Sequence, residues 1–164
     1  MKALVTGGAG FIGSTLVDRL LAEGHQVDVV DDLSSGNLAN LADARANRDH
    51  PVTFHQIDIR DEAVVELMAR QQPEVVFHLA AQADVRVSVA RPVYDAQINV
   101  VGSLNVLEGA RAAGARKVVF ASSGGTIYGE PDPSELPVKE AHPQPPLSPS
   151  GVAKKVVGDY LYAY

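Results

Sequence analysis

The chain has no cysteine, so neither a disulfide framework nor a thiolate metal site can be built from it. It has no excess of positive charge either. Fourteen Lys and Arg stand against twenty Asp and Glu, and the net charge of −6 offers no basic field to draw in nucleic acid or an anionic lipid surface. No apolar run approaches the length that crosses a bilayer. The five histidines (25, 50, 55, 78 and 142) are scattered without ligand-like pairing, and no metal site is expected. There are no internal repeats. Only a few residues precede the first glycine, which reads as a strand and not as a signal-peptide core. A cytoplasmic protein of one domain, residues 1–164, with no nucleic-acid or membrane partner, is the expectation from these exclusions.

What the chain does have is concentrated in its first thirty-one residues. The apolar run Ala3-Leu4-Val5-Thr6 leads into Gly7-Gly8-Ala9-Gly10-Phe11-Ile12-Gly13, and a second apolar run closes on Asp31. The spacing predicts strand, glycine turn, helix and strand. Glycines at 7 or 8, 10 and 13 let backbone approach a pyrophosphate at a helix N-terminus. Asp31, roughly twenty residues on, stands where a carboxylate accepts hydrogen bonds from a ribose diol. Asp31 and Asp32 would repel a 2′-phosphate, and no basic residue follows closely, so NAD is expected over NADP. The helix is expected to bury Ile12, Leu16 and Leu20, widened by Val17 and Leu21, and to end at a left-handed Gly24.

The rest continues the alternation of strand and helix, which predicts a doubly wound parallel α/β sheet. Strands are expected at 52–57, 74–79 and 117–121, with Asp61 capping one helix that Pro73 ends. A long helix follows the fourth strand, broken or entered at Pro92, with Ile98, Val101, Leu104 and Leu107 inward. Seven prolines between 131 and 149 forbid long regular structure there, and an ordered loop of this length reads as a functional covering. Ser150 to Tyr164 reads as a helix with Val152, Val156, Val157, Tyr160 and Leu161 on its apolar side.

Ligands of such a sheet sit at the carboxyl ends of its strands. Those ends carry the glycine turn, Asp31-Asp32, Asp58-Ile59, Leu79-Ala80-Ala81-Gln82 and Ser122-Ser123. Ala80 and Ala81 would let a ligand lie against backbone, and Asp58 could accept from an adenine amino group. His78 reads as a packed strand residue.

Thr6 to Gly13, His78-Leu79-Ala80-Ala81-Gln82, Asn99, and Ser122 to Gly129 with Tyr128 together resemble the extended short-chain dehydrogenase/reductase family. Within it the chain is most similar to the NAD-dependent nucleotide-sugar group, and there to the UDP-glucose 4-epimerases. The resemblance covers all 164 residues but only the N-terminal half of such proteins. It implies a Rossmann NAD-binding domain truncated relative to the family, without the C-terminal substrate domain, and a nucleotide-sugar substrate, with a UDP-sugar favoured. Carried over by position, it adds Ser35, Gly36, Asn99 and Lys154 to the cofactor contacts, beside Gly7, Gly10, Phe11, Ile12 and Gly13.

In the family, a tyrosine and a lysine in Tyr-x-x-x-Lys share one face of a helix. The ammonium draws the phenol down from its ordinary pKa of about 10. The resemblance places the lysine at Lys154 and the tyrosine at Ser150. An alkanol is too weak an acid to serve as that base, and too short to reach the same hydroxyl. The assisting serine is Ser123 when counted from the strand, whereas counting back from Tyr128 lands on Gly124. Where the sugar 4,6-dehydratases carry an Asp-Glu pair, this chain has Gly124-Gly125-Thr126, which favours epimerase. The expectation is therefore NAD binding on an epimerase scaffold with turnover impaired by Ser150 and by the missing C-terminal half, or else an inactive NAD-binding sensor or partner module. The family's dimer contact, made by the helix after the fourth strand and the lysine-bearing helix, implies a homodimer.

Overall fold

The computed structural model describes residues 1–47 and 49–164. These form two compact units: Met1–Ala81 with Gly102–Ala121, and Gln82–Val101 with Ser122–Tyr164.

The first unit is a parallel sheet. Its strands are β1 (Lys2–Thr6), β2 (Gln26–Asp31), β3 (Thr53–Gln56), β4 (Val75–His78) and β5 (Lys117–Phe120), in the order β3-β2-β1-β4-β5. Strand order reverses between β1 and β4, which puts the topological switch point beside the glycine turn. All five expected strands exist, and three are shorter than read. Val52 and Ile57, Glu74 and Leu79, and Ala121 lie outside the ladder. Glu74, Leu79 and Ala121 each still donate one N–H to a neighbouring strand, to Lys2 O, Thr6 O and His78 O, without extending the ladder, and apolar content alone does not reveal that.

Helix α1 (Phe11–Ala22) buries Gly13, Ser14, Val17, Leu20 and Leu21 against β1 and β2, in a core with Ala3, Val5, Val27 and Val29. Ile12, expected in this stripe, is 67% exposed, since it lies on the opposite side of the first turn from Ser14 and Val17. The helix ends as read. Gly24 is left-handed, its N–H donates to Leu21 O, and His25 N–H donates to Leu20 O, the paired bonds of a Schellman closure. A 3-10 turn (Leu38–Leu41) runs into α2 (Ala42–Ala46). Asp61 satisfies the first N–H of helix α3 (Ala63–Gln71), its Oδ1 accepting from Ala63 N at 3.0 Å.

After α4 (Val85–Ala90) and α5 (Pro92–Ala96), the chain winds through a π-helical stretch, Gln97–Gly102, into α6 (Ser103–Ala113), which packs on α3. The wider π turn changes the angular phase of the helix. Val101, expected inward, is 50% exposed, and the buried side of α6 is Ser103, Val106, Leu107, Gly109 and Ala110.

The second unit packs α4, α5 and the last helix, α8 (Pro149–Ala163), on one another, and packs the single turn α7 (Gly124–Ile127) on α8. The proline-rich stretch contains no longer element than a 3-10 turn at Pro133–Glu135. Within it His142 Nδ1–H donates to Pro143 O at 2.7 Å, and Tyr128 meets the imidazole edge-on. The apolar side expected for α8 is corrected: Ser150, Gly151, Ala153 and Val157 are buried, whereas Val152 and Tyr160 are exposed. Small residues allow close helix packing, and hydropathy gives them no weight.

Candidate cofactor and catalytic site

In the first unit the glycine turn is built by what cannot be placed there. Gly7 has φ +70, and a Cβ on it would fall 2.6 Å from Ala80 N; a Cβ on Gly13 would strike the Gly7 carbonyl. The backbone leaving β1 therefore lies directly against the backbone leaving β4. Two further bonds hold the two exits together, with Leu79 N–H donating to Thr6 O and Ala80 N–H donating to Thr6 Oγ1. Thr6 Oγ1 lies 2.7 Å from His78 Nδ1, and His78 Nε2 lies 2.8 Å from Ser103 Oγ. His78 is 1% exposed, so it is a fully bonded packing residue.

The turn enters α1 through Gly10, whose extended backbone supplies no capping side chain. Phe11 and Ile12 stand out into solvent, which leaves the first-turn N–H groups open to an external anion. Ala9 anchors the turn to the end of β2. Its N–H donates to Asp31 Oδ2 at 3.0 Å, and its carbonyl accepts from Asn37 N and Asn40 Nδ2. Asp31 Oδ1 also accepts from Leu33 N at 2.9 Å, with Gly36 packed against the carboxylate. Asp31 thus uses one bond per oxygen on the loop and keeps acceptor capacity on each. Asp32 folds back on Ser34, and Ser35 is exposed beside it.

Asp58 and Ile59 follow β3. Ile59 is buried under Gly102, and its carbonyl accepts from Asn105. Asp58 is clasped by Arg60, whose Nε donates at 2.9 Å, and these hydrogen bonds hold its carboxyl below the usual carboxylate range. Arg60 was not anticipated as this partner. Its position two residues on, across a turn, was the available signal.

In the second unit Gln82 and Asn99 form a closed polar pair. Gln82 N–H donates to Asn99 Oδ1, and Asn99 Nδ2 donates to Gln82 O, both at 2.9 Å. Asp95 completes the group by accepting from Gln82 Nε2 at 2.8 Å and from Asn99 Nδ2 at 3.0 Å. Sequence reading missed Asp95, although its four-residue spacing from Asn99 places both on one helical face. Ser123 precedes α7, makes no capping bond and is half-buried; Ser122 is exposed. Ser150 is 5% exposed on the first turn of α8, one turn before the half-buried Lys154. Burial lowers the Lys154 ammonium from 10.5 to about 8, a fall partly opposed by the charge of Asp95. Among the described residues no cluster could hold a metal ion, and no helix is long and apolar enough to cross a membrane.

Known proteins share this architecture. The chain matches the family described as GDP-mannose 4,6 dehydratase over residues 4–164. It is 53% identical to a UDP-glucose 4-epimerase of Mycolicibacterium smegmatis over all of this chain and 51% of that protein. It is 47% identical to a putative UDP-glucose 4-epimerase of Methanocaldococcus jannaschii, over 98% of this chain and 50% of the other. Among solved structures, UDP-glucose 4-epimerase of Thermotoga maritima with UDP-glucose superposes with a TM-score of 0.91 at 45% identity, covering 99% of this chain and 50% of its own. The Thermus thermophilus UDP-glucose 4-epimerase in complex with NAD gives 0.90 at 44%, covering 100% and 50%. The chain thus spans about half the length of the relatives it matches. A parallel sheet reversing beside a glycine turn, matched from residue 4 to residue 164, identifies the lineage: the chain belongs to the GDP-mannose 4,6-dehydratase family of extended short-chain dehydrogenases/reductases.

Proposed function

We propose that this chain is the NAD-binding part of a nucleotide-sugar 4-epimerase, acting on UDP-glucose and UDP-galactose, in which Ser150 suppresses turnover. The observation that carries the reading is the first unit's cradle. Gly7 and Gly13 admit no side chain, α1 begins without a cap, and Asp31 retains acceptor capacity at the end of β2. That donor set fits a dinucleotide with a free 2′-hydroxyl. Gly7, Gly10 and Gly13, with the backbone of Phe11 and Ile12, would hold the pyrophosphate. Asp31, Asp32, Ser35 and Gly36 would take the adenosine ribose, and Asp58 with Ile59 the adenine. Leu79, Ala80 and Ala81 would continue the cofactor contacts of the first unit. Gln82, Asn99, Ser122 and Lys154 are cofactor contacts on the family resemblance alone. Bound NAD supplies a reversible hydride acceptor.

This chain's own residues then divide the work unequally. Lys154 binds and carries positive charge, and Ser123 offers a hydroxyl to the reacting oxygen. Ser150 takes the place of the base and cannot fill it, because an alkanol is far too weak an acid near neutral pH, even one turn from Lys154 on the same helix. The same residue favours the second reading, an NAD-binding sensor or partner module without turnover.

The test is a hybrid in which residues 1–164 continue in register into the C-terminal half of the Mycolicibacterium smegmatis relative. With Ser150→Tyr the hybrid should interconvert UDP-glucose and UDP-galactose, and with Ser150 retained it should be nearly inert. Equal rates for the two would refute the role given to Ser150. No turnover in either would remove the epimerase reading.

A homodimer through the second unit belongs to the same proposal. Val93 of α5 and Val152 of α8 are 71% and 47% exposed. An apolar groove of about 460 Å³, lined by Pro92, Ala96, Val100, Leu147 and Val152, lies between these helices.

A further inference from the structure

We infer that Asp95 is a positioning residue of the second unit, fixing Gln82 and Asn99 through one carboxylate oxygen and presenting a buried negative charge to Lys154 on α8, the helix packed against α5. The inference rests on the NAD-binding reading for its functional meaning, but the link between Asp95 and Lys154 can be measured without any cofactor.

Three observations support it. Asp95 is 1% exposed on α5, where a carboxylate without compensating partners is strongly disfavoured. Its Oδ1 accepts two side-chain amides, Gln82 Nε2 and Asn99 Nδ2, which orient both groups. Its Oδ2 is buried and has no hydrogen-bond partner, and α8, which carries Lys154, packs on α5.

The charged groups on the elements packed around it are few. On α4, Arg86 is turned outward to Asp84 at 2.7 Å. Arg91, between α4 and α5, stacks on the Tyr94 ring. On α8, Lys155 pairs with Asp159 at 3.0 Å, Tyr160 lies exposed beyond it, and α7 has no ionisable side chain. Lys154 is the cation whose charge registers with Asp95, and that carboxylate opposes the loss of its proton. The network therefore keeps a half-buried ammonium charged near neutral pH, as binding to an anionic or hydroxyl-bearing cofactor requires.

The test is Asp95→Asn, which keeps shape and hydrogen-bonding capacity and deletes the charge. In the protein without cofactor, the Lys154 side-chain carbon resonance, assigned by its loss in Lys154→Ala, should titrate at lower pH in Asp95→Asn than in wild type. Asp95→Glu should restore it. NAD affinity should fall several-fold at pH 8 and stay unchanged at pH 6. Should Asp95→Asn fail to fold, Asp95→Ser removes the same charge in a smaller side chain and must move the resonance the same way. A variant that melts earlier while Lys154 titrates as in wild type would overturn the inference, leaving Asp95 a packing hub. If the resonance moves but NAD binds at neither pH, the inference stands and the cofactor reading falls.

Discussion

Lys154 is a residue whose chemistry the fold alters strongly. Burial on α8 disfavours its charged form and brings its pKa from 10.5 to about 8. Between those values the unfolded chain holds a proton that the folded chain has released, so stability gains as pH rises from about 8 toward 10.5. Below pH 8 the cost of burying the charge is fully present. Thermal melts of wild type and Lys154→Met across that window should show wild type gaining on the variant as pH increases; parallel curves would contradict the burial argument. The fingerprint residues, Gly7, Gly13 and Asp31, were legible in the sequence because their chemistry is carried by local spacing. Asp95 was not, since a lone aspartate in a helix ordinarily faces water. Only the fold brings Gln82 from another loop to meet it.

At the level of elements, the sheet could be read from alternation, and the helix faces less well. In α6 the preceding π turn rotates the buried side away from Val101. In α8 the buried side consists largely of small residues, Ser150, Gly151 and Ala153, so apolar periodicity pointed elsewhere. The start of α8 is nonetheless firmly marked. Ser148 caps it, its hydroxyl oxygen accepting from Gly151 N at 3.1 Å, and Pro149 occupies the first turn. Ser148→Ala should cost about 1 kcal/mol, lowering the melting temperature by roughly 3 °C. An unchanged melt would show that the prolines alone define this helix start.

Across the whole molecule, two inferences depend on regions far apart in the chain. The exposed valines of α5 and α8 predict self-association through the second unit. Light scattering on the double variant Val93→Lys, Val152→Lys should report a monomer where wild type reports a dimer. Equal masses for the two would remove this surface from consideration. The other inference is the cofactor itself. The length of the relatives, twice that of this chain, bears on substrate and turnover more than on the dinucleotide, because the glycine turn, Asp31 and the strand exits all lie within residues 1–164. Calorimetric titration of the purified chain with NAD and, separately, NADP tests this most directly. The account predicts saturable NAD binding, with NADP weaker by about tenfold or more through repulsion of its 2′-phosphate at Asp31 and Asp32. No binding of NAD, or equal affinity for the two, would contradict it.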